Sequence, residues 1–129
     1  MSDATVGDEY SRSVVVTAEH FASRMVPEAP EVFSTPSLGM LVEQTAADWL
    51  GGLLTPEQTS VGSELVIRHT APTPADRTVT VTVTVAAIEP PRYDFTWVAR
   101  DDVEDIGSGT HQRFVVDRTL FLARVDRKR

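Results

Sequence analysis

The sequence predicts an α+β domain in which one long helix is wrapped by a curved antiparallel sheet of about five strands. Three observations predict it. Apolar residues recur at helical spacing in one segment only, from Thr35 to Leu54. Almost everything after that segment alternates as strands do. The connections are short, which favours antiparallel neighbours. A helix apolar over most of its surface must then be covered by that sheet.

Residues 1–11 read as a flexible leader, 12–125 as a single domain and 126–129 as a basic tail. Val14, Val15 and Val16 mark a first strand over 12–18, and Pro27 and Pro30 mark an acidic loop between Met25 and Phe33. The helix follows. Thr35 can cap it, and Pro36 suits its first turn, where a missing N–H costs nothing. Leu38, Leu41, Val42, Thr45, Trp49 and Leu53 continue it, and Pro56 ends it near Leu54. The stretch Glu64 to Thr70 alternates, with Leu65, Ile67 and His69 on one face. Arg77 to Val85 is the clearest strand, with Val79, Val81, Val83 and Val85 on one face and threonines on the other. Pro90-Pro91 breaks the chain, Tyr93 to Ala99 is another strand, and Asp101 to Gly109 reads as a polar turn. Thr110 to Val125 is expected to be a long final strand.

The chain has 129 residues, which suits one compact domain. Twelve lysines and arginines against nineteen acids give a net charge of −7, a poor balance for binding nucleic-acid phosphates or anionic membranes. No apolar run reaches the ~20 residues needed to span a bilayer. Met1 to Tyr10 is acidic and lacks an apolar signal core. Cysteine is absent, which excludes disulfides, thiolate metal sites and a cysteine nucleophile and fits a cytoplasmic location. His20, His69 and His111 lack metal-ligand spacing, so no metal is expected. Gly107-Ser108-Gly109-Thr110 lacks the context of a phosphate loop or a nucleophile elbow.

Candidate chemistry centres on Glu43. Its helical neighbours Gly39, Met40, Ala46 and Ala47 cannot pair with a carboxylate, and no lysine or arginine occurs from Met25 to Ile67. Such a carboxylate is expected to be desolvated, and perturbed groups gather at functional sites. Thr35 stands at the helix start, where free N–H groups and the helix dipole favour a developing oxyanion. Gly39 in the first turn would let a ligand approach the backbone closely. His69 is expected to point inward with Leu65 and Ile67.

Val32-Phe33-Ser34-Thr35, Glu43 eight residues after that threonine, and His69 within Arg68-His69-Thr70-Ala71 resemble the fluoroacetyl-CoA thioesterase family. The segment Asp105-Ile106-Gly107-Ser108-Gly109-Thr110-His111-Gln112-Arg113 is also similar to that family, and the resemblance covers roughly residues 12 to 122. It implies a hotdog fold, a homodimer, and hydrolysis of acyl-CoA thioesters without metal or a resident cofactor, coenzyme A being part of the substrate. By the same resemblance Thr35, Glu43 and His69 would be catalytic, Gly62 would lie near the acyl group, and Arg113 would sit close to the acyl pocket. The family carries a longer segment, with lid phenylalanines, before the stretch matched by Pro30-Glu31-Val32-Phe33. The segment here is short and Ala29 precedes Pro30, which implies a more open pocket.

For such hydrolysis Glu43 could attack the carbonyl or activate water. Thr35 could hydrogen-bond the carboxylate or the thioester, and His69 could act as acid or base. Arg24, Arg77 and Arg100 are candidates for the phosphates of coenzyme A. Two other readings differ in class: a non-catalytic acyl-CoA or small-acid binding protein, and a dehydratase of hydroxyacyl thioesters. Release of free thiol discriminates the first reading from both. The unpaired edge left by one small sheet is expected to pair with a second copy, bringing the site near the interface.

Overall fold

A computed structural model describes residues 4–129. The elements are β1 (Glu9–Val15), a 3-10 turn (Ala18–His20), α1 (Ala22–Met25), α2 (Thr35–Gly51), β2 (Gln58–His69), β3 (Thr78–Glu89), β4 (Arg92–Arg100), β5 (Asp105–Asp117) and α3 (Arg118–Asp126). The five strands form one antiparallel sheet in the order β1-β3-β4-β5-β2. The α+β class and the helix embraced by a curved sheet are as the sequence predicts.

The core is the seam between α2 and the inner face of that sheet. Val79, Val81, Val83 and Val85 are all buried against Leu38, Leu41, Val42, Ala46 and Leu50 of the helix. Alternation on β3 dictates this: four branched side chains on one face fit a pleated surface and leave the threonines outside. On the outer face Ser11 and Ser13 of β1 hydrogen-bond Thr82 and Thr80. Phe95 and Trp97 close the floor of the core.

Two glycines of β5 have a packing role. The indole of Trp97 on β4 crosses Gly109 and donates to the Val66 carbonyl on β2 at 3.2 Å. A Cβ on Gly109 would lie 1.8 Å from that oxygen, and one on Gly107 would lie 2.7 Å from the Arg68 carbonyl. The Gly107-Ser108-Gly109 stretch is therefore strand, and the polar turn before it is shorter than expected.

The sequence reading needs correction at both ends. β1 begins at Glu9, so residues 9–11 of the expected leader pair with β3. The expected final strand stops at Asp117. Its last ladder partner is Gln58, and Arg118 then donates its N–H to the Glu57 carbonyl. Beyond that point no neighbouring strand can satisfy the backbone, and the chain closes its own hydrogen bonds as α3. Asp117 caps this helix by accepting from the Leu120 N–H at 2.9 Å.

β2 and β1 are the sheet edges. β2 has twelve residues and a bulge between Gly62 and Glu64. Its outer edge is a long row of unpaired backbone groups, of the kind that proteins cover or pair.

Candidate active site

Two clusters of polar side chains form where α2 and β2 face each other. The first lies at the helix start. Ser34, not Thr35, is the N-cap: its Oγ accepts from the Ser37 N–H at 3.1 Å. Ser37 Oγ in turn donates to the His20 carbonyl at 3.2 Å. Thr35 is the first helical residue and Pro36 the second, and the Thr35 hydroxyl is free of capping duty. It hydrogen-bonds Nδ1 of His69, at the end of β2, at 2.8 Å. Nε2 of His69 is buried and has no hydrogen-bond partner. Burial lowers the pKa of His69, and the Ala71 backbone only partly offsets that, so the imidazole is biased to its neutral form. A cleft of about 310 Å³ adjoins the pair, lined by residues that include Val32, Phe33, Thr35, His69 and Ala71.

The second cluster surrounds Glu43, two helical turns on and about 12 Å along the axis from Thr35. The expectation of a desolvated, unpaired carboxylate fails. Glu43 is 48% exposed and accepts a hydrogen bond from Arg113 Nη1 at 3.2 Å. The cation that local sequence lacks comes from β5, seventy residues away. Arg113 is itself 8% exposed and firmly held: Nε donates to Ser60 Oγ at 3.0 Å, Nη2 to the Ser60 carbonyl at 3.2 Å. Burial pulls its pKa down and Glu43 pushes it back up. An arginine in this position stays charged.

Gly62 lies beside this pair on the bulged edge of β2. A Cβ there would stand 2.6 Å from Glu43 Oε1 and 3.3 Å from Arg113 Nη1, so any larger residue would displace the carboxylate from its present position. A cleft of about 210 Å³ opens between Glu43, Gly62, Glu64, Leu65 and His111.

Gly39 is not an open approach for a ligand, as the sequence suggested. It is buried, and a Cβ would meet Ile67 Cδ1 at 3.0 Å and Leu65 Cδ2 at 3.2 Å, so its small size lets β2 cross the helix. Two of the arginines considered for phosphate are engaged elsewhere: Arg100 pairs with Asp105 at 2.8 Å and Arg77 with Asp102 at 3.9 Å. Sequence reasoning missed Ser34, Ser60 and His111. Ser34 was legible in principle, because a serine two residues before a proline is as good a cap as a threonine. No group of His, Asp or Glu among the described residues is arranged to hold a metal ion.

Within one chain the structure therefore joins Thr35 to His69 and Glu43 to Arg113 and Gly62, but not the first group to the second. What it contains is a neutral hydroxyl–imidazole pair at one end of α2 and a carboxylate held by a fixed guanidinium further along. The fold is a hotdog fold, and the paired sites are of the acid–base kind that acyl-thioester chemistry uses. Comparison with known proteins is consistent with that class. The profile described as fluoroacetyl-CoA-specific thioesterase matches residues 16–119. A fluoroacetyl-CoA thioesterase from Streptantibioticus cattleyicolor is 34% identical, over 95% of this chain and 93% of that protein. A solved structure of a fluoroacetyl-CoA thioesterase superposes with a TM-score of 0.94 at 33% identity, covering 99% of both chains. A hot-dog-like protein from Thermanaerovibrio acidaminovorans superposes at 0.89 with 26% identity, covering 95% of this chain and 91% of that one. The chain belongs to the fluoroacetyl-CoA-specific thioesterase family.

Proposed function

We propose that this protein hydrolyses the thioester of a small acyl-CoA to the free acid and coenzyme A, with Thr35, Glu43 and His69 as its catalytic residues. Family membership supports the reaction, as does a solved relative, 34% identical, whose crystals contain fluoroacetate and CoA. One observation supports the residues. A hydroxyl–imidazole pair and an arginine-held carboxylate lie along the α2–β2 seam, beside the open edge of β2.

Homodimer formation through that edge is the second half of the proposal. In an antiparallel pairing of β2 with a second copy, centred between Leu65 and Val66, His69 comes opposite the partner's Gly62. Glu43 lies against Gly62. The pairing would thus carry the carboxylate of one chain to the hydroxyl–imidazole pair of the other, and each dimer would hold two composite sites. The row of unpaired backbone groups on β2 supplies the reason to associate.

In such a site the Thr35 N–H at the start of α2 polarises the thioester oxygen, Pro36 having no N–H and the Ser37 and Leu38 amides being bonded to Ser34. Glu43 either attacks the carbonyl carbon, giving an anhydride that water then hydrolyses, or takes the proton of an attacking water. His69, neutral at working pH, moves the proton, and Thr35 holds its Nδ1. The thiolate of CoA leaves and takes up one proton. Arg113 holds Glu43 in place and aimed. Gly62 N–H lies on the strand that meets the acyl group. A cytoplasmic location accords with the absence of cysteine. No helix among the described residues is long and apolar enough to cross a membrane.

The test is Glu43→Gln against a panel of short acyl-CoAs, reading free thiol. Turnover is expected to fall by ~10²-fold or more. Turnover within a few-fold of the parent removes Glu43 from the mechanism. Binding of acyl-CoA without thiol release by the parent protein replaces the enzyme with a binding protein.

A further inference from the structure

His111 takes no part in the scheme above, yet it is a titratable side chain only 2% exposed, at the back of the carboxylate cluster. Its two ring nitrogens have different partners. Nδ1 lies 2.8 Å from the Glu64 carbonyl oxygen, and Nε2 lies 3.2 Å from Arg113 Nη1. A carbonyl oxygen only accepts and a guanidinium nitrogen only donates. The ring is therefore neutral, with its proton on Nδ1 and its lone pair on Nε2. A second proton on Nε2 would point at a cation inside the protein. Burial disfavours it first and outweighs the opposing pull of the Glu64 carbonyl; Arg113 adds to the burial effect, against weaker help from Glu43.

Both hydrogen bonds act on the berth of Glu43. Arg113 Nη1 has two N–H groups, and the one that His111 accepts fixes the direction of the one that Glu43 accepts. Glu64 closes the β2 bulge that brings the Gly62 backbone against Glu43. The ring also stacks on Phe95, 6.2 Å between centroids and 27° between planes, which locks its own orientation. One imidazole thus ties the arginine on one side of the carboxylate to the strand bulge on the other.

We infer that His111 is a positioning residue for the hydrolysis, holding Arg113 and the Gly62–Glu64 bulge so that Glu43 is aimed at the acyl carbon. The inference rests on the proposed role of Glu43. It acts on the step after binding, so it belongs to kcat rather than to KM. A role in packing alone predicts otherwise, because phenylalanine would fill the same space and stack on Phe95 equally well.

Three variants test it, with kcat and KM measured by thiol release and folding checked by thermal melting. His111→Gln keeps one donor and one acceptor at a separation close to that of the ring nitrogens, and is expected to retain kcat within about threefold. His111→Phe keeps shape and loses both bonds, and kcat is expected to fall at least about tenfold with KM nearly unchanged. Added to Glu43→Gln, His111→Phe should cause little further loss, because both act through one carboxylate. Should His111→Phe fail to fold, His111→Asn replaces it: its amide is too short to reach both partners, and it should lose kcat where Gln does not. Equal kcat in the Gln variant and in the Phe or Asn variant, with Glu43→Gln still inactive, overturns the inference and leaves the hydrolytic reading intact. An active Glu43→Gln overturns that reading first.

Discussion

The two ends of the α2–β2 seam are built on opposite principles. At the helix start, Thr35 and His69 are held by one hydrogen bond between them, carry no net charge, and leave His69 Nε2 unpartnered. At the middle of the helix, Arg113 binds Glu43, His111 and the hydroxyl and carbonyl of Ser60, and charge is matched by charge. The first cluster is under-satisfied and inexpensive to disturb. The second is satisfied and stitched into β2, β5 and α2 together. In the proposed scheme the carboxylate must be aimed, which a rigid frame supplies, and the imidazole must pass a proton, which a free nitrogen allows.

This difference separates rate from stability. The largest effect is expected at the rigid end. Arg113→Met removes a buried cation and leaves His111, Ser60 and Glu43 without it. Turnover should fall ~10²-fold, and stability by about 1–3 kcal/mol in chemical denaturation, most of it from buried groups left unpaired. Next comes His69→Ala, which should also cost ~10²-fold in kcat, while the denaturation midpoint moves by less than about 1 kcal/mol, because a single bond is lost. Equal losses of stability at the two ends would erase the distinction. Thr35→Val against Ser34→Ala is a finer probe. Ser34 is the cap, so its alanine variant should cost about 1 kcal/mol of stability. Thr35→Val should leave stability nearly unchanged and lower kcat about tenfold by releasing His69 Nδ1.

The smallest effect is pH-dependent. His69 and His111 both have pKa values lowered by burial. Below the ordinary histidine value of ~6.5 the unfolded chain takes up protons that the folded chain refuses, so νU exceeds νN and stability rises with pH. The melting temperature should therefore decline as pH falls from 7.5 to 5.5. His111→Gln should flatten that decline. A slope unchanged by that substitution contradicts the burial of a neutral His111.

Much of the frame was legible in the sequence for reasons of period. The valines of β3 alternate too cleanly to be anything but a half-buried strand, and the spacing from Leu38 to Leu50 admits only a helix. The misreadings share a cause: the deciding partner is distant. Glu43 looks unpaired in the sequence because its arginine lies on β5, seventy residues away. The α3 segment looked like strand because the sequence does not show where β2 stops offering partners. Gly39 looked open because Leu65 and Ile67, which cover it, come from across the seam. Thr35 stands at the helix start as the sequence implies, but the cap is Ser34, one residue before it.

The central claim is that the two ends act together across a pair of chains. The direct measurement is co-expression of two differently tagged chains, one carrying His69→Ala and the other Glu43→Gln, with the mixed dimer purified through both tags. Such a dimer holds one composite site with both intact residues and one with neither, so about half of the parent's activity per dimer should return, although each variant alone is nearly inactive. A mixed dimer as inactive as its parents, or a parent protein that is a fully active monomer, would contradict the account.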